Sequence, residues 1–258
     1  MTARHDYTSG AKAVAERLAR SLAGDGALAV ALVGSHASGD ATPDSDIDLA
    51  VVGEGPHYRL EVHDGVLISL GWAPAEEQRR RLYDPAWLGT HVAGWREAVL
   101  LHDPEGVGTA IKDEAHAWTW EQVSDRVDEW VAESVTGFTE EVQKLVTSLA
   151  RGQTTMAAVQ RSVLALRLAS TLALHRRILY GSENRLWDIV GQELGPAWRD
   201  AQAAALGVGG ETLEDGSNAA LQLFALAARE VMPLLDDRQR AVIEQGLERT
   251  EFVRQPRR

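Results

Sequence analysis

Asp46 and Asp48 stand two residues apart in the run Ser45-Asp46-Ile47-Asp48-Leu49, and Gly34-Ser35 precedes them across the polar connection 36–45. On an extended segment, residues i and i+2 share a face, so both carboxylates point one way while Ile47 and Leu49 point the other. Like charges that close repel unless a cation lies between them, and Mg²⁺ takes a few carboxylates together with phosphate oxygens and water. Glycine permits close approach of backbone to a ligand, serine adds a hydroxyl donor, and amides exposed at a helix start favour phosphate. The chemistry suggested is a metal–nucleotide site. Taken singly, a Gly-Ser after a strand is also compatible with a plain turn, and an Asp-x-Asp with a surface pair.

The elements that must position these residues are legible around them. Residues 27–33 and 46–52 are short continuous apolar runs and read as buried strands on either side of the polar connection. Before them, 11–22 has helical spacing and stops at Gly24-Asp25-Gly26. After them, 58–63 alternates, Asp64-Gly65 is a hairpin turn signal, and 66–72 returns as a strand. Residues 74–82 look helical, 97–101 form a possible further strand, and Asp103-Pro104 opens another helix. Thr119 and Gln122 can form a capping box, from which the pattern stays helical to residue 151. Helical segments follow at 155–180, 185–192, 196–206, 218–235 and 238–247. The expectation is an α+β chain, with a mixed-sheet domain over 1–116 and an all-α helical bundle over 117–258.

Composition narrows the function. The 258 residues are 45% apolar and 25% charged, ordinary values for a folded chain with room for about two domains. There is no cysteine, which removes disulfides and cysteine-ligated zinc. The first ten residues lack the apolar core of a signal peptide, and no uninterrupted apolar run nears the ~20 residues that span a bilayer, so a cytoplasmic location with no membrane partner is expected. Acidic residues outnumber Lys and Arg by 38 to 26, a net charge of −12 that disfavours nucleic acid and anionic lipid and suits a cationic small molecule.

Strand, Gly-Ser, polar connection and a second strand bearing Asp-Ile-Asp occur together, and in that combination the sequence resembles the nucleotidyltransferase superfamily. Val33-Gly34-Ser35 and Ser45-Asp46-Ile47-Asp48-Leu49 match its pattern throughout. Within it, the chain resembles aminoglycoside nucleotidyltransferases of the kanamycin type over residues 33–180. That likeness rests on the Gly-Ser to Ser-Asp-Ile spacing, the hairpin, Leu101-His102-Asp103, a helix ending near Gly152, and Leu174-His175-Arg176-Arg177-Ile178-Leu179-Tyr180. It implies a nucleotidyltransferase-fold sheet followed by a helical domain, and transfer of AMP from ATP, with Mg²⁺, to a hydroxyl of an aminoglycoside-type acceptor. It further implies Asp46 and Asp48 as catalytic metal ligands, with Gly34, Ser35, Ser45 and Lys144 at the nucleotide. Glu140 is then the base for the acceptor hydroxyl, with Glu141 as a rival, and the protein a homodimer with its site between subunits. Independently of the resemblance, Glu140 and Lys144 share one helical face at i,i+4, as an ordinary surface pair also would.

Departures from the family pattern open a second reading. The superfamily's third carboxylate falls at Ser69, which supplies no anionic ligand at neutral pH. Glu61 and Asp64 are near in sequence, yet a two-residue hairpin puts Glu61 opposite Ile68. Ser38 stands where the family carries an arginine, and His36 is a possible phosphate contact in its place. A scaffold that binds nucleotide or antibiotic without turnover is therefore the alternative function. Trp72, Trp87 and Trp95 are candidates to line a cleft, and Asp103, Glu133 and Asp188 to bind amines, with core burial and plain solvation as the competing readings.

Overall fold

The computed structural model describes residues 2–253, and the chain divides into two units, Met1–Gln122 and Val123–Arg258. In the first, five runs of alternating or continuous apolar residues form strands β1 (Ala29–Val33), β2 (Ile47–Val52), β3 (Tyr58–His63), β4 (Val66–Ala73) and β5 (Val99–His102). They pair in the order β3-β4-β2-β1-β5, with β2 parallel to β4 and the other pairs antiparallel. The sheet is mixed, as expected.

Period-two alternation gives the sheet two unlike faces. Val30, Leu32, Ile47, Leu49, Val51, Ile68, Leu70 and Trp72 form the face that packs against α1 (Thr2–Gly24) through Val14, Ala15, Leu18 and Leu22. Burying such side chains supplies roughly 1.5–3 kcal/mol each, which fixes the strand registers because a one-residue slip would expose them all. Asp48, Ser69 and Leu60 are aligned across β2, β4 and β3 on the other face. Asp64 and Gly65 have φ of 52° and 80°, the left-handed pair a two-residue hairpin turn demands, and Glu61 lies opposite Ile68 as read from the sequence.

Helices α2 (Gly34–Ser38), α3 (Ala75–Arg81), α4 (Leu88–Glu97) and α5 (Val107–Ala117) complete this unit. The sequence reading missed α4, whose two glycines and β-branched Thr90 and Val92 lower its intrinsic propensity. Burial of Leu88, Val92 and Trp95 along one stripe overrides that cost. Helix α5 starts later than expected, after Gly106 at φ 73°, and Asp103 reaches forward to its first turn, accepting from the amides of Gly108 and Thr109 at 2.8 Å each and from the Thr109 hydroxyl at 2.7 Å.

The second unit is all helical: α6 (Ser124–Ala150), α7 (Thr154–His175), α8 (Glu183–Leu194), α9 (Pro196–Leu206), α10 (Leu213–Val231) and α11 (Asp237–Val253). Its core gathers Val131, Val135, Leu164, Leu168, Leu172 and Phe224. Helix α7 ends earlier than the expected residue 180, because Arg177 turns into the left-handed region at φ 58° and donates to Asp128 at 2.7 Å and Ser124 at 3.1 Å. By length and composition α7 is apolar enough to cross a membrane, with mean hydropathy 1.2 over its best window, but half of that window is buried inside the protein, as in a core helix.

Candidate active site

Strand β1 ends at Val33, where Gly34 takes φ 66° and the chain enters the single turn α2, closed by Gly39 at φ 83°. The Gly34 conformation is unfavourable for any side chain, and a Cβ there would overlap the Asp48 carboxylate oxygen Oδ2. Glycine is thus needed at this position because Asp48 lies flush against the backbone at the bend. The carbonyl of Ser35 holds the following loop, accepting from the amides of Asp40 at 3.0 Å and Ala41 at 3.1 Å and from the Ser38 hydroxyl at 3.3 Å.

Asp46 lies one residue before β2, which begins at Ile47, so only Asp48 sits on the strand proper. The two carboxylates are nonetheless close enough to interact. Burial first and the negative charge of Asp46 second raise the Asp48 carboxyl, and with a hydrogen bond from Ser69 partly offsetting both it comes to about 6. A carboxylate so destabilised as an anion beside a second, exposed carboxylate is a donor set that fits one divalent cation completed by phosphate oxygens and water. Among the described residues, no cluster of three or more His, Cys, Asp or Glu side chains is placed to hold a metal.

Ser69, where the family resemblance leads one to expect a third acid, pairs directly with Asp48 across the parallel β2–β4 ladder. Its hydroxyl oxygen also lies 3.4 Å from the Tyr58 hydroxyl. Tyr58 was not singled out in the sequence, although the hairpin register makes it a diagonal neighbour of Ser69. Glu61 points to the opposite face and is held by Arg59 at 2.5 Å and His63 at 2.6 Å, while Asp64 pairs with Arg17. Neither replaces the missing acid.

Ser45 closes its own loop: its hydroxyl oxygen accepts from the Thr42 amide at 2.8 Å. Ser38 donates to Asp40 at 2.9 Å, and His36 is half-buried on α2. Trp72 and Trp95 belong to the core, whereas Trp87 is 41% exposed with the Arg81 guanidinium stacked 4.5 Å from its ring centroid. Trp72 packs against Gly55 and lines a cavity of about 190 Å³ with His57, Glu77 and Arg81. Asp103 is committed to its helix cap, Glu133 pairs with Arg238 at 3.0 Å, and Asp188 is exposed.

In the helical unit Glu140 and Lys144 form an ion pair of 2.7 Å, and Glu141 reaches the same ammonium at 3.8 Å. Glu140 keeps 71% of its side chain exposed. Together with Thr136, Gly137 and Gln143 of α6 and Val242 and Gly246 of α11, it lines an open groove of about 400 Å³.

Residues 14–130 match the family model of the nucleotidyltransferase domain. A solved structure, that of a nucleotidyltransferase-like protein from Exiguobacterium sibiricum 255-15, superposes with a TM-score of 0.52 over 83% of this chain and 74% of that one. The fold is nucleotidyltransferase-like. Sequence identity to that neighbour is 16%, so the likeness establishes architecture alone. None of the curated proteins matches the chain. The nucleotidyltransferase match spans β1, the Gly34 bend, Asp46, Asp48 and Ser69, the residues whose geometry is described above.

Proposed function

We propose that the chain transfers AMP from ATP to a hydroxyl of a small cationic acceptor of the aminoglycoside type. The observation that carries this reading is the interacting Asp46 and Asp48 carboxylates, with Asp48 against the Gly34 bend, within the nucleotidyltransferase match. Asp46 and Asp48 would hold Mg²⁺, which when bound would neutralise triphosphate charge. Gly34 leaves room for the phosphates, the Ser35 hydroxyl donates to them, and Ser45 keeps its loop closed beside the carboxylates. The acceptor oxygen bonds to the α-phosphorus, the bond to the β-phosphate oxygen breaks, and pyrophosphate leaves. Glu140 takes the hydroxyl proton while Lys144 balances phosphate charge, roles that rest on the family resemblance. The net charge of −12 favours a cationic acceptor.

Ser69 favours a second reading, in which the chain binds nucleotide or antibiotic without turning it over, because a hydroxyl replaces the third anionic ligand. Incubation with labelled ATP, Mg²⁺ or Mn²⁺ and an aminoglycoside panel separates the two. Labelled adenylylated product with pyrophosphate release supports transfer. Calorimetric binding of ATP or an aminoglycoside with no product supports the binding module, and neither result with either metal overturns both.

A further inference from the structure

Asp48, Ser69 and Leu60 lie in one row across β2, β4 and β3, and Tyr58, two residues before Leu60, shares their face by strand alternation. Its phenol oxygen lies 3.4 Å from the Ser69 hydroxyl oxygen, and Ser69 hydrogen-bonds the Asp48 carboxylate. Two such steps put the phenol within about 7 Å of that carboxylate.

The space beside the ring is clear. Tyr58 pairs with Gly71 of β4, which pairs in turn with Ala50 of β2, so this neighbouring row is floored by a hydrogen and a methyl group. A Cβ built on Gly71 meets no atom from elsewhere in the chain within 4 Å. Tyr58 itself is 57% exposed. A hydroxyl nucleophile therefore stands over an open shelf next to the candidate nucleotide site.

We propose that the chain adenylylates itself on Tyr58. This rests on the nucleotidyl-transfer reading of the same site and names a second acceptor for it. The phenol oxygen bonds to the α-phosphorus of ATP, and the bond from that phosphorus to the bridging oxygen of the β-phosphate breaks. Pyrophosphate leaves, the phenol proton passes to solvent, and the product is a phosphodiester joining AMP to tyrosine. A phenol gives up its proton far more readily than a sugar hydroxyl and needs less help from a base, which suits a site whose β4 member is the neutral Ser69. Ser69 is nearer to Asp48, but it is half-buried and its one hydroxyl proton is given to that carboxylate. Strand β3 holds Tyr58 in place, so no separate acceptor has to bind.

Incubation of the full chain with ATP labelled in the α-phosphate and Mg²⁺ or Mn²⁺, with and without an aminoglycoside panel, tests it. The chain is expected to keep the label and gain the mass of one AMP, and tandem mass spectrometry of its peptides to place that mass on Tyr58. The rate per chain should be unchanged by dilution of about tenfold, as for an acceptor within the same molecule. Tyr58→Phe should lose the label with its circular dichroism unaltered, and the peptide map of the wild type does not depend on that variant folding. In a readout without turnover, α,β-methylene-ATP at about ten times its Kd should shield Tyr58 from N-acetylimidazole about tenfold. Label on an aminoglycoside but not on the chain overturns the proposal and leaves nucleotidyl transfer standing, whereas label on neither overturns both. Label that survives Tyr58→Phe, a rate that falls on dilution, or an analogue that binds by calorimetry without shielding Tyr58 also overturns it.

Discussion

Ser69 stands beside Asp48 on the parallel neighbouring strand and hydrogen-bonds its carboxylate, where a third acid completes the site in the superfamily pattern. A neutral donor there eases the repulsion between Asp46 and Asp48 without adding a ligand. Ser69→Asp brings a third negative charge into the cluster. The expected result is a metal-free protein that melts several degrees lower, together with Mg²⁺ affinity raised about tenfold or more. Calorimetric titration with Mg²⁺ and a thermal melt check both; a variant with unchanged metal affinity would show that residue 69 does not face the cation.

Asp48→Asn removes a buried charge that the metal-free fold tolerates poorly. The folded carboxyl titrates at about 6 against its ordinary value of 3.8, so its destabilising effect is fully present above pH 6 and fades as pH falls towards 3.8. At neutral pH the asparagine variant should therefore be more stable than the metal-free wild type by on the order of 3 kcal/mol, and the difference should vanish near pH 4. Denaturant melts at several pH values read this, and added Mg²⁺ should narrow the gap by stabilising only the wild type.

Gly34→Ala puts a methyl group into the space of Asp48 Oδ2 and forces an L side chain into φ 66°. The backbone cost alone is about 1 kcal/mol, and relief of the overlap must displace Asp48. Loss of ATP binding by at least tenfold, with a fold that still melts cooperatively, is the outcome expected from calorimetry and circular dichroism.

Glu140 is well exposed and tied only to Lys144, a surface pair worth little to stability. If it takes the acceptor proton, Glu140→Gln lowers kcat by about a hundredfold or more while shifting stability by less than ~0.5 kcal/mol. A kcat within threefold of wild type would transfer the role elsewhere, with Glu141→Gln the next variant to assay.

His91, half-buried on α4, has its Nε2 2.9 Å from the Gln78 carbonyl of α3, and desolvation pushes its imidazole down to about 4. The sign is opposite to that of Asp48. Folding favours neutral His91, so its contribution is intact above pH 6.5 and is lost as pH falls from 6.5 towards 4. Comparing pH–stability curves of the wild type and His91→Gln should show an acid-side decline in the wild type that the variant lacks.

Local rules were enough to read much of this chain. Glycine at the β1 exit, the Asp-x-Asp spacing, the Asp64-Gly65 turn and the resulting register of Glu61 opposite Ile68 all follow from steric limits and strand alternation within a few residues of one another. The helical second half was equally plain from its 3.6-residue periodicity. Tertiary structure decided the rest. The parallel alignment that sets Ser69 against Asp48 joins segments about twenty residues apart, and no local pattern specifies such a pairing. The raised Asp48 carboxyl depends on burial by the assembled sheet, α4 exists because its apolar stripe finds a core to enter, and the Tyr58 phenol comes near Asp48 only once β4 lies between their strands. Spacing proposes which groups share a face; only packing determines what lies across from them and how much water they keep.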